Sequence, residues 1–137
     1  MTRERLRAVR SQLAELRQLR ERLARLEARM YSPKSIEISD MPRGGGGGDA
    51  MVDMVSSHSR LVALYRAKIE AMESEQIAVE EAIVGLRPAE REVIRARYLD
   101  GLTWEEICVE VGYAWAQVHR IHGAALRRLE EEEKPEG

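Results

Sequence analysis

The stretch LTWEEICVEVGYAWAQVHRIHGAALRRL, residues 102–129, decides the fold. Thr103 is a good N-cap for a short helix that turns Trp104, Ile107, Cys108 and Val111 to its inner side. Gly112 stands where a tight turn requires a positive φ. A last helix then runs from about Trp115 to Leu129, with Val118, Ile121, Ala125 and Leu129 facing inward. Two short helices joined by a glycine turn make a helix-turn-helix. At about 100° per residue, the face of the last helix opposite its apolar stripe carries Ala116, Arg120, Gly123 and Arg127, and no acidic residue lies between Trp115 and Leu129. Small side chains allow close approach to a groove, and arginines reach guanine edges or phosphates. Gly123 costs about 1 kcal/mol against alanine inside a helix, so approach to DNA or to a neighbouring helix accounts for its presence. On spacing alone, the competing reading is a plain three-helix bundle with a solvated arginine face.

Upstream, Asp100-Gly101 makes a turn, and Val93, Ile94 and Tyr98 mark one face of a preceding helix. Pro88 suits the first turn of that helix, and Glu90 places a carboxylate where the helix dipole favours it. Gly85 and Pro88 bracket a break from the preceding segment. Two long stripes at spacings of three and four fill the first half. One runs Leu6, Val9, Leu13, Leu16, Leu19, Leu23, Leu26, Met30; the other, from about Asp49, runs Met54, His58, Leu61, Tyr65, Ile69, Met72, Gln76, Val79, Ile83, Leu86. Residues 32–49, with Ser32-Pro33, Met41-Pro42 and Gly44 to Gly48, read as a linker. The expected fold is all-α: a long two-helix hairpin or coiled coil over 1–86, followed by a small C-terminal helix-turn-helix domain over 87–137. An antiparallel hairpin pairs a basic first helix with an acidic second one; association of the same stripes between two chains is the alternative. The Glu130–Glu133 run, continuing to Gly137, reads as a frayed acidic tail.

Charge is segregated. Residues 1–30 carry nine arginines against four glutamates, residues 31–86 five basic against nine acidic groups, and residues 87–129 seven basic against six acidic ones. With a net charge of −2 the chain is no polycation, so partners are set by its parts. There is no Phe, and the core must be aliphatic, a helical palette. The single cysteine, Cys108, has no internal disulfide partner, which fits a reducing cytosol and a cytoplasmic protein. No run approaches the roughly 18 apolar residues of a membrane span, and the N-terminus opens directly into a charged amphipathic repeat.

The pattern Leu102-Thr103-x3-Ile107-x3-Val111-Gly112-x5-Val118-x2-Ile121-x3-Ala125-Leu126-x2-Leu129 resembles the helix-turn-helix of sigma factor region four, ungapped over 28 positions. Ala89 to Tyr98 resembles that region's first helices, and the layout of two long helices before the module is similar to phage transcriptional regulators of the ArpU type. The resemblance implies binding of double-stranded DNA, with Gln117, His119 and Arg120 at positions that contact it. Region four usually opens its recognition helix with Ser and then Arg-Glu; Ala114, Trp115 and Ala116 stand there instead, which separates this chain from readers of a standard −35 element.

The DNA-contacting set is therefore Thr103, Trp115, Ala116, Gln117, His119, Arg120, Gly123 and Arg127. His119 and His122 are one turn apart, but they point to different sides and no Cys or carboxylate accompanies them, so no metal is assigned. Cys108 is read as a small core residue, and Trp115 as packing more than base contact. The five glycines lack the strand and Lys-Ser/Thr of a phosphate loop. No base, nucleophile and acid assemble into a catalytic set, and no cofactor is called for. Promoter melting uses aromatic side chains to capture unstacked bases, and the first 86 residues offer only Tyr31 and Tyr65. The reading is a sequence-specific activator or sigma-like accessory factor of a phage or prophage, with RNA polymerase and a second copy of the chain as further partners. Its rival is a helical scaffold or adaptor, a phage packaging subunit among them, in which the long helices mediate assembly.

Overall fold

The computed structural model describes residues 1–32 and 46–133, and among these every regular element is helical. Helix α1 spans Arg3–Met30, α2 Gly46–Ile83, α3 Pro88–Ile94, α4 Trp104–Val111 and α5 Trp115–Glu133, and a single π-helical turn, Arg95–Leu99, continues α3. Most of the expected linker, residues 33–45, and the end of the tail, residues 134–137, lie outside the described residues. None of the described helices is long and apolar enough to cross a membrane. The chain divides into two compact units, Met1–Ala14 with Ala71–Gly137, and Glu15–Glu70.

In the Glu15–Glu70 unit the stripe of α1 closes on the inside: Leu16, Leu19 and Leu23 are buried and Leu26 and Met30 half-buried. From α2, Met54, His58, Leu61, Tyr65 and Ile69 are half-buried. Glu15 meets Lys68 at 3.4 Å and Glu27 meets His58 at 2.9 Å. A later residue of one helix thus pairs with an earlier residue of the other, so the two segments are antiparallel, as expected for a basic helix set against an acidic one. His58 interrupts its stripe because it faces Glu27.

In the other unit, α1 contributes the fully buried Leu6 and Val9, and α2 contributes Met72, Val79 and Ile83. Arg5 grips Glu75 with two hydrogen bonds of 2.8 and 2.9 Å, and Arg95 grips Glu80 at 2.9 and 3.3 Å. The helix-turn-helix has a small core of its own: Val93, Ala96, Ile107 and Val118, with Leu102, Trp104, Cys108, Val111, Tyr113 and Ile121 packed against it. Cys108 is half-buried there.

Three boundaries differ from the sequence reading. The second helix starts at Gly46, so Gly46–Gly48 belong to it. The first N–H groups of any helix lack an intrahelical partner, and Asp49 supplies the carboxylate that the first turn favours. The last helix continues to Glu133 instead of fraying after Leu129. Glutamate is a good helix former, and the charge it brings to a helix C-terminus is offset by the Met1 ammonium, 2.8 Å from Glu133 and within 3.3 Å of the Leu129 carbonyl. The π turn, closed by a bond from the Asp100 N–H to the Arg95 carbonyl (2.9 Å), has no signal in the spacing of apolar residues.

Glu90 is 4% exposed. Its Oε1 accepts the Arg87 N–H (3.2 Å) and its Oε2 accepts Arg128 Nε (3.1 Å), tying the start of α3 to α5. Replacing Glu90 with Ala is expected to cost about 1–3 kcal/mol, the usual consequence of stranding buried hydrogen-bond partners. Urea unfolding should show a lowered midpoint with an unchanged slope; a loss below about 0.5 kcal/mol, the level of an indifferent surface change, would mean that the carboxylate is no tie at all.

Candidate nucleic-acid interface

The turn between the last two helices is built as its residues dictate. The Thr103 hydroxyl accepts the Glu106 N–H (3.2 Å) while the Glu106 carboxylate accepts the Thr103 N–H (3.1 Å), a reciprocal cap that holds the Glu106 carboxyl below the usual carboxylate range. Gly112 closes α4 at φ 75°, in the left-handed region, with nothing within 4 Å of where a Cβ would stand. Only backbone conformation therefore selects glycine there. Gly101, at φ 72°, turns the chain before α4.

Beyond the turn, α5 buries Val118, Ala125, Leu126 and Leu129 and leaves Ala116, Gln117, Arg120 and Arg127 exposed. Among the described residues, Gln117, Arg120 and Arg127 have no hydrogen-bond or ion-pair partner. Arg128, on the same helix, is committed to Glu90. The arginines of α5 thus divide into one that fastens the helix and two that are presented outward. Gly123, half-buried, lies among them; among the described residues the guanidinium of Arg127, 3.8 Å from a Cβ built there, is its one close neighbour, so no described helix packed on it explains the missing side chain. A cleft of about 410 Å³ between the start of α3 and α5 has Arg87, Gln117 and Arg120 in its lining.

The remaining members of the expected set are placed differently. Thr103 spends its hydroxyl on the cap. Trp115 is 51% exposed and leans on His119, ring centroids 4.6 Å apart. His119 and His122 do not point to separate sides: both meet Trp104, at 4.5 and 4.7 Å. Residues three apart lie on one helix face, and the large indole spans both. His119 Nε2 is enclosed without a hydrogen-bond partner, so this nitrogen is not offered to a ligand.

Residues 82–131 match the family model for Sigma-70, region 4. They form a region-four helix-turn-helix. No curated protein and no solved structure matches the chain. The region-four segment is of a DNA-binding type, and α4 and α5 are the two helices of its helix-turn-helix.

The Tyr98 hydroxyl is hydrogen bonded to His122 Nε2 of α5 at 2.7 Å, and the Arg97 guanidinium lies 4.4 Å over Trp104 while donating to the Leu102 carbonyl. None of this was evident from spacing, because the partners come from three elements and the π turn sets which way Tyr98 faces. Burial raises the Tyr98 hydroxyl above its ordinary pKa. Burial, and then Arg3, His119, Arg97 and Arg7, push His122 down to about 4. The folded state therefore holds His122 neutral, whereas the unfolded chain protonates it near 6.5. The stabilisation is complete above the unfolded value and is lost as pH falls from about 6.5 towards 4. Proton NMR should place the His122 midpoint near 4, and His122→Gln should flatten stability against pH in that window. A midpoint near 6.5 would show the ring to be solvated.

Proposed function

We propose that this chain is a sequence-specific duplex DNA-binding transcription regulator of the sigma-like kind, an activator or accessory factor of phage or prophage origin. The observation that carries the reading is the outward face of α5. Arg120 and Arg127 are exposed and unpaired there beside Ala116 and Gly123, on the recognition helix of a region-four module. Such a face fits a major groove: the small residues let the backbone close in, and the arginines reach base edges and phosphates. RNA polymerase is the protein partner this reading brings with it. The surface that supports it is on α4, where Val109, 85% exposed, stands among Leu102, Glu105, Glu106 and Glu110.

An assembly of two copies would present two recognition helices to half-sites spaced by about 10 base pairs. Leu6, Leu13, Leu16, Leu19 and Leu23 of the α1 stripe are already buried within one chain, so a dimer would form through other faces. Ultracentrifugation at micromolar concentration measures this directly. The adaptor reading is separated by selection from a random duplex pool: a regulator enriches one motif, whereas an adaptor enriches none.

On the selected site, Arg120→Ala should weaken binding by about 1–3 kcal/mol and relax preference at one base pair. Retention of both affinity and preference would remove Arg120 from the reading set. Arg127→Ala should instead weaken all sequences alike and reduce the slope of log affinity against log salt by about one unit, as read by fluorescence anisotropy at several salt concentrations.

A further inference from the structure

The first turns of α1 belong to the same compact unit as the helix-turn-helix, and they bring arginines to it. A cavity of about 460 Å³ is lined by Arg7 and Arg10 of α1, by Arg97 and Tyr98 of the π turn, and by Trp104 and His122. No carboxylate lines it. Arg10 donates its Nε to the Arg97 carbonyl at 3.0 Å, which fixes its stem. Among the described residues Arg7 has no hydrogen-bond or ion-pair partner. On the same helix Arg5, by contrast, is spent on Glu75. Glu105 acts on Arg97 from outside the cavity's lining, yet Arg10 and Arg97 repel each other, and an anion among these arginines relieves that repulsion.

Two observations narrow the anion. Arg97, His119 and His122 all contact the Trp104 ring, so it offers no open face on which a base could stack. The cavity adjoins the N-terminus of α4, of which Trp104 is the first residue. The first helix of a helix-turn-helix crosses the sugar–phosphate backbone while the second enters the groove. Residues 87–129 have seven basic against six acidic side chains, and affinity for a duplex grows with the number of phosphates neutralised.

We propose that Arg7 and Arg10, with Arg97, form a phosphate clamp through which α1 grips the backbone of the duplex read by α5. The clamp rests on the DNA-binding reading and extends it. It makes the N-terminal helix part of the DNA-binding unit, outside the segment that matches region four. It carries no sequence information, since phosphates are the same on every site.

The test uses the full chain and two duplexes, the selected site and a random sequence, with binding measured at several salt concentrations. Each lost phosphate contact lowers the salt slope by about 0.9. The double variant Arg7→Ala, Arg10→Ala should lose nearly two units on both duplexes, Arg7→Ala alone about one, and Arg7→Lys almost none. Arg5→Ala, on the same helix, should leave the slope in place. Thermal unfolding of each variant checks folding, and Arg7→Ala, which removes no internal hydrogen bond, carries the test if Arg10→Ala unfolds. Slopes unchanged in Arg7→Ala, with tight binding retained, would overturn the clamp and leave the DNA-binding reading standing. A wild-type chain that binds neither duplex would remove both. Inorganic phosphate and AMP, titrated while the His122 ring signals are followed, distinguish a free ligand: saturation below millimolar concentration with unchanged slopes would make the cavity a small-anion site and overturn the clamp.

Discussion

Helix α5 is held firmly on one side while the other remains bare, and the hold depends on Glu90. Its carboxylate is buried, one oxygen on the Arg87 amide and the other on Arg128. A buried carboxylate is tolerated only when its lone pairs are satisfied, so α3 and α5 are kept in the single relation that satisfies both. Arg128 is thereby taken out of the set of arginines offered to solvent. The small core of Val93, Ala96, Ile107 and Val118 then seats α4 against the same helix, and the reciprocal cap at Thr103 and the left-handed Gly112 fix where α4 begins and ends. The exposed positions of α5 follow from these constraints without any contact of their own.

The local parts of this arrangement were legible in the sequence because their causes are local. Thr103 as an N-cap, Gly112 after the last apolar position and Pro88 at a first turn each act within a few residues, though the reciprocal bond from Glu106 was found only in the structure. The stripes of α1 and α2 were legible by period. The features that escaped were long-range or depended on charge already in place. Glu90 and Arg128 are 38 residues apart, and nothing in either neighbourhood distinguishes the bonded arginine from Arg127 beside it. The acidic run at the end of α5 read as tail because four glutamates oppose a helix dipole; its helicity is supported by an ammonium supplied from the other end of the chain.

The candidate site was legible to the same extent. Ala116, Gln117, Arg120 and Arg127 are exposed as the helical period demands. His119 is drawn towards Trp104 and Trp115 by aromatic contact, a preference worth about 0.5–1.5 kcal/mol per ring pair and invisible to a wheel that counts only apolar positions. Behind them, cationic and aromatic side chains from α1, the π turn, α4 and α5 crowd a region without carboxylates. That crowding keeps His122 neutral and leaves Arg7 without a partner.

The π turn at Arg95–Leu99 sets a rule about length. A π turn holds one residue more than the α-helical path it replaces. Deleting that extra residue would let the helix close as α over the same path, whereas adding a further residue would rotate the downstream chain by about 100°. Tyr98 would leave His122, and the start of α4 would shift against the core it seats. Substitutions along this segment are graded by side chain, whereas an added residue acts on every contact downstream at once. In related chains, then, the segment from Arg95 to Thr103 is expected to lose a residue more readily than to gain one.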